Sequence, residues 1–190
     1  TKNDRLFFLG DYVDRGVDSK GVVDFIIALK EEGYPVFPLL GNHEQVYLEY
    51  NENDFSYMKW LTKRNKTKNL LDGEKLHSKY SDFFRSLPHF YELDDFYLVH
   101  GGFDFTKEAP FSDTQSMLWL RATKIDNRFV KNKTIICGHT VTYRQDIINA
   151  VKSRKQLICI DNGAYYTKKH KIYDHTQLGC LCALNLDTYE

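Results

Sequence analysis

Leu6-Phe7-Phe8-Leu9-Gly10-Asp11-Tyr12-Val13-Asp14-Arg15-Gly16 sets a short apolar run directly against an abrupt polar exit. An apolar run of that length fits a buried strand, and a glycine at its end permits a sharp exit at little steric cost. The same pattern recurs along the chain. Phe37-Pro38-Leu39-Leu40 stops at Gly41-Asn42-His43-Glu44, and Tyr97-Leu98-Val99 at His100-Gly101-Gly102. Ile135-Ile136-Cys137 stops at Gly138-His139-Thr140, and Ile158-Cys159-Ile160 at Asp161-Asn162-Gly163. Strands that share a sheet core can gather such exits at one end, where α/β proteins place their ligands. The gathered groups are carboxylate, amide and imidazole, a donor mixture suited to Mn, Fe or Zn.

Between these exits the periodicity changes. Val22, Val23, Phe25, Ile26, Ile27 and Leu29 give residues 19–32 a broad helical stripe, with Gly33 placed as a C′ stop. Tyr34 to Leu40 reads as a strand that Pro35 and Pro38 confine to an edge or bulge. Residues 45–90 read as a helical insertion, closed by Pro88. Tyr91 to Leu98 reads as a hairpin with an acidic turn, Met117 to Ala122 as a helix, and Gly179 to Leu186 as a last strand. Strand, helix, strand, helices and then mostly strands predicts an α/β domain over residues 1–190, built of two mixed sheets packed as a sandwich and flanked by helices.

Composition bounds the function. The chain has 190 residues, 42% hydrophobic and 27% charged, with formal net charge zero. These are values of a globular domain, and a neutral balance argues against nucleic acid or an anionic membrane as partner. No run approaches the roughly 18 apolar residues of a membrane span. Cys137, Cys159, Cys180 and Cys182 contain no C-x-x-C pair, which predicts free buried thiols and a cytoplasmic setting. Lys59, Lys63, Arg64, Lys66 and Lys68 form a locally basic stretch. It is either a solvated helix face or a docking surface for an acidic or phosphorylated partner.

Each polar exit has an ordinary reading beside the chemical one. Asp11 can reach a metal, and Arg15 beside it can grip a phosphate by two parallel hydrogen bonds; a turn with a surface ion pair would look the same. Asn42 is a valid oxygen ligand and His43 a candidate general acid. Asn42 could equally cap a helix, with Glu44 near its positive end. His100 and His139 each follow a strand beside glycine, which favours ligation over packing. Asp161-Asn162-Gly163 is explained by a tight turn alone. Arg121, in Leu118-Trp119-Leu120-Arg121, is either a helix-surface residue or a phosphate ligand. His77, His89, His170 and His175 have no comparable setting.

In order, GDYVDRG at 10–16, GNHE at 41–44, LVHGG at 98–102 and CGHT at 137–140 resemble the calcineurin-like metallophosphoesterases. The likeness is to their phosphoprotein-phosphatase branch, and to small bacterial serine/threonine protein phosphatases in particular. The resemblance implies two divalent metals, manganese first and iron or zinc next, that activate a hydroxide for in-line attack on phosphorus. It implies metal ligands Asp11, Asn42, His100 and His139, with Asp11 bridging. His43 would be the general acid, oriented by Asp14, while Arg15, Arg121 and Asn42 would hold the substrate phosphate.

The family's earlier GDxHG motif, which supplies the first metal's Asp and His, does not occur here. The expectation is therefore a domain without its first strand and helix, truncated or preceded by a further segment. Such a chain has ligands for one well-held ion, is weakly active or inactive, and has an exposed sheet edge open to self-association. The expected partner is a phosphorylated protein or peptide. The competing readings are a dinucleoside tetraphosphate hydrolase and a non-catalytic phosphate-binding scaffold.

Overall fold

A computed structural model describes residues 1–121, 124–166, 174 and 176–190. They form two compact units, residues 1–88 and 89–190.

The first unit opens with β1 (Leu6–Phe8) and β2 (Val36–Pro38), paired in parallel with Leu6 opposite Val36 and Phe8 opposite Pro38. The connection is α1 (Ser19–Glu31). Asp18 caps it by accepting from the Gly21 N–H at 2.9 Å, and Val23, Ile26 and Ile27 form its buried stripe. Gly33 ends it in the left-handed region, φ +78°. Then come α2 (Asn42–Asn53), α3 (Phe55–Asn65), a two-stranded ribbon of β3 (Leu71–Asp72) and β4 (Lys75–Leu76), and α4 (Ser78–Arg85). Asp54 alone separates α2 from α3, and its carboxylate caps α3 through the Tyr57 N–H. The ribbon is too short to show periodicity in the sequence. His77, read there as surface or packing, caps α4 through its ring, which accepts from the Lys79 N–H at 3.1 Å.

The second unit is built on β5 (Phe90–Glu92), β6 (Phe96–Val99), β7 (Thr134–Cys137) and β8 (Leu157–Cys159), side by side in that order. β5 and β6 make the predicted hairpin; β6–β7 and β7–β8 are parallel. The helices α5 (Thr114–Trp119), α6 (Asn127–Val130) and α7 (Arg144–Lys152) complete it. Its core joins Tyr97, Val99, Phe103, Phe105, Met117 and Ile135, with the Phe111 ring stacked on Tyr97 at 5.1 Å.

Three local expectations need correction. Residues 179–186 are not a strand; a buried asparagine and a glycine turn hold the start of the segment instead. Asn162, 2% exposed, donates to the carbonyls of Thr142 and Gln177 and accepts from the Cys180 N–H, while Gly179 turns at φ +102°. The thiols are free but not uniformly buried: Cys137 is buried, Cys159 and Cys182 half-buried, Cys180 exposed. α5 stops at Trp119, which leaves Arg121 past its end rather than on its surface. Ala122, His170 and His175 lie outside the described residues. Among the described residues, no helix is long and apolar enough to cross a membrane.

Candidate active site

In the first unit the parallel register brings two polar exits side by side. Asp11 follows β1 and Asn42 follows β2, tied by the Leu39 N–H to the Phe8 carbonyl at 2.9 Å. Gly41, and not Asn42 as the sequence suggested, is the N-cap of α2. A side chain at Gly41 would strike the Asp11 amide and carboxylate and the Glu44 carboxylate. Only glycine lets the two exits approach this closely.

Glu44 does more than favour the positive end of a helix. It is fully buried, and its two oxygens collect four backbone N–H groups. Oε2 accepts from Asp11 at 2.9 Å and Gly41 at 3.1 Å; Oε1 accepts from Tyr12 at 2.7 Å and Val13 at 3.1 Å. Burial, reinforced by the Asp11 charge, outweighs the pull of the backbone donors and His43 and leaves its pKa raised to about 7. With each oxygen accepting two N–H groups, the geometry is that of a carboxylate rather than a carboxylic acid. This anchor fixes a loop in which Asp11, Asp14 and Arg15 all take positive φ, at 61°, 72° and 59°. Such conformations cost non-glycine residues free energy and persist where surrounding bonds over-determine them.

Asp14 is the hub of the unit's side-chain network. Its Oδ2 lies 2.6 Å from His43 Nδ1, and its Oδ1 accepts the Tyr47 hydroxyl at 2.7 Å. Its own N–H donates to Ser19 Oγ at 3.0 Å. Tyr47, fully buried, also contacts the Thr67 hydroxyl at 2.5 Å. Burial and the Asp14 charge push the Tyr47 hydroxyl up, so it remains a donor. Burial disfavours the charged His43 ring, but the Asp14 bond and the Asp11 charge outweigh burial and hold its pKa above the ordinary value. His43 Nε2 stands 3.9 Å from Asp11 Oδ2, and the His43 N–H donates to Asp11 Oδ1 at 3.3 Å. Tyr47, Thr67 and Ser19 had no signal in the sequence. Position 47 sits one helical turn beyond His43 on the same face, which is the only available clue.

In the second unit, the parallel pairing of Val99 with Cys137 sets the exits of β6 and β7 next to each other. The Gly138 N–H donates to the His100 carbonyl at 2.9 Å, and the Gly101 N–H to the Met117 carbonyl at 2.6 Å. His139 is the middle of a three-residue turn closed by the Thr140 N–H on the Gly138 carbonyl at 2.6 Å, with φ +62°. Arg15 sits in the same kind of turn between Asp14 and Gly16. His100, 1% exposed, presents Nε2 3.2 Å from His139 Nδ1. Two nitrogens each about 2.1 Å from one cation stand roughly 3 Å apart, so the pair suits joint ligation. Trp119 meets the His139 ring edge-on at 6.3 Å, and the Arg121 carbonyl accepts the Thr140 hydroxyl at 3.4 Å. The predicted residues thus gather as Asp11, Asp14, Arg15, Asn42 and His43 in one unit and His100, His139 and Arg121 in the other.

A parallel-stranded fold with Asp, Asn and His at consecutive strand exits has counterparts among known proteins. The family model for calcineurin-like phosphoesterases matches residues 1–175, and the chain belongs to that family. Members of this family bind divalent metals, and phosphoester hydrolysis is its class of chemistry. A solved structure of a candidate diadenosine tetraphosphatase is 21% identical, with TM-score 0.55, over 86% of this chain and 72% of that one. The cold-active protein-tyrosine phosphatase of a psychrophilic Shewanella species is 19% identical, with TM-score 0.52, over 83% of this chain and 60% of that one. A metallophosphoesterase from Sphaerobacter thermophilus is 20% identical, with TM-score 0.47, over 75% of this chain and 53% of that one. The first two likenesses identify the metallo-dependent phosphatase fold. The chain spans less than two thirds of the length of the latter two. A comparison with curated proteins finds no match.

Proposed function

We propose that this chain is a metal-dependent phosphomonoesterase acting on phosphoserine or phosphothreonine in proteins, in a cytoplasmic setting that keeps its four thiols reduced. The observation that carries the reading is the 2.6 Å contact of His43 Nδ1 with Asp14, backed by Tyr47. A carboxylate on Nδ1 fixes the ring and leaves Nε2 as the atom that protonates a departing alkoxide. Arg15 and Arg121 grip the phosphate and balance its equatorial charge. Asn42 is assigned to the phosphate as well. Metal ligation is assigned to Asp11, Asn42, His100 and His139. The 3.2 Å nitrogen pair and the carboxylate–amide–imidazole chemistry support that assignment, with manganese favoured over iron or zinc. A bound cation would supply Lewis-acid activation of water.

A second reading, hydrolysis of dinucleoside tetraphosphates, is favoured by the fold likeness to the candidate diadenosine tetraphosphatase. Phosphate release from a phosphothreonyl peptide and from diadenosine tetraphosphate, with manganese and then with chelator, separates the two. Chelator-sensitive turnover of the peptide is expected. Turnover of the dinucleotide alone would move the assignment to the second reading, and chelator-resistant turnover of the peptide would remove the metal from it.

A further inference from the structure

The first unit holds a charged surface that the hydrolytic groups do not use. α3 carries Lys63 and Arg64 in its last turn, Lys66 closes it in the left-handed region at φ +59°, and Lys68 follows. All four are exposed, as is Lys59 one turn earlier. Among the described residues, no carboxylate forms an ion pair with any of the five. Of the acids nearest in sequence, Glu52 pairs with Arg85 and Asp54 caps α3, while the exposed Asp72 and Glu74 form no ion pair with these cations. Within this surface Trp60 is 47% exposed, with the Arg64 guanidinium over its ring at 5.1 Å and Tyr57 against it at 5.2 Å. An uncompensated group of cations around an ordered, half-exposed indole is a surface built for an anionic chain.

Its position ties it to the hydrolytic groups. Thr67 lies between Lys66 and Lys68, and its hydroxyl contacts Tyr47, which contacts Asp14, which contacts His43. Followed atom to atom, the Thr67 hydroxyl is within about 10 Å of the His43 ring, a span of about three extended residues. Lysine and arginine stems extend the reach further.

We propose that Lys63, Arg64, Lys66 and Lys68 form a docking site for an acidic segment of the substrate polypeptide, roughly three to six residues from the phosphorylated position. This rests on the phosphoprotein reading above and narrows it to phosphosites flanked by Asp or Glu. Polypeptide is favoured over nucleic acid because this group of five cations sits in a chain of zero formal net charge, which gives little long-range attraction to a polyanion.

The test compares phosphothreonyl peptides carrying three Asp, or three Asn, on either side of the phosphosite. At low ionic strength one Asp peptide is expected to show a KM about tenfold below its Asn twin at equal kcat, the sum of a few exposed charge pairs. Lys63→Glu with Arg64→Glu should abolish that difference and leave kcat on the Asn peptide unchanged. Lys66→Asn, which tolerates the left-handed backbone, with Lys68→Gln should weaken it. A binding arm needs no turnover. An unphosphorylated Asp-rich peptide should quench the emission of Trp60 in a Trp119→Phe background, and the charge reversal should remove the quench. Loss of turnover on every phosphoester with the quench retained would fail the hydrolase reading and spare the docking surface. Equal KM for Asp and Asn peptides with no quench, a reversal that raises KM equally for both, or tighter binding of single-stranded oligonucleotide than of acidic peptide would each overturn it.

Discussion

Replacing Glu44 with Gln removes almost no volume and one charge, which makes it a direct probe of the loop that carries Asp11. Each carboxylate oxygen accepts two backbone N–H groups. Gln keeps one oxygen and turns an NH₂ toward the other pair of donors. Two buried N–H groups then lose their acceptor, at about 1–3 kcal/mol each. Removing a buried charge relieves some desolvation, so the lower half of the combined range, about 2–4 kcal/mol, is expected. That is a large share of the roughly 5–15 kcal/mol by which domains are stable. The assay is urea unfolding at pH 7 followed by far-ultraviolet circular dichroism, with exposed Glu31→Gln as control. Gln at 44 should move the midpoint markedly with little change in slope. It should also reduce phosphate release even in the folded fraction, because Asp11 loses its fixed backbone. A loss below about 0.5 kcal/mol, comparable to the control, would refute the idea that this carboxylate holds the loop.

His43→Gln is expected to cut kcat on a phosphothreonyl peptide by about 10²–10⁴ and to cost much less on 4-nitrophenyl phosphate, whose leaving group departs unprotonated; equal losses would exclude a general-acid role. Gly41→Ala forces a methyl group onto the Asp11 amide and the Glu44 carboxylate, and should destabilise by about 1–3 kcal/mol or more, read as a lowered Tm; an unchanged Tm would contradict the packing. Asp24 accepts from Lys20 at 2.6 Å and Lys79 at 2.7 Å and so joins α1 to α4. Burial raises its pKa, but the two lysines outweigh it and bring it down to about 2. Its folded value lies below its unfolded one, so it stabilises above about pH 4 and that contribution fades as pH falls through about 2. Asp24→Asn should therefore cost under about 1 kcal/mol at pH 7, given the exposure of the bridge, and progressively less as pH falls through about 2; a deficit that stays undiminished in acid would assign it to lost packing instead.

What the sequence disclosed and what it withheld divide along a physical line. Strand exits were legible because a short apolar run followed by glycine is a local pattern, and the register of parallel strands then aligns successive exits. Asp11, Asn42, His100 and His139 were placed at strand exits that way. The roles of Glu44, Tyr47 and Thr67 depend on which backbone or side chain faces them across 20 to 33 positions, and no local spacing encodes that. Asn162 shows the same limit from the other side. Asp161-Asn162-Gly163 reads as a turn and is one, yet the amide also binds three distant backbone groups, one of them the Cys180 N–H at the start of the segment expected as a strand. The cap of α2 failed for a simpler reason: Asn favours the cap, but at position 41 the approach of Asp11 leaves room for nothing larger than hydrogen.

The four N–H groups gathered by Glu44 belong to two segments more than 25 positions apart, and neither can release them separately. Fraying at the start of α2 must therefore take residues 11–13 with it, so this corner opens and closes as one cooperative piece. Amide hydrogens of Asp11, Tyr12, Val13 and Gly41 would then exchange with solvent at a common opening free energy, and phosphate-handling competence would be gained or lost as a whole.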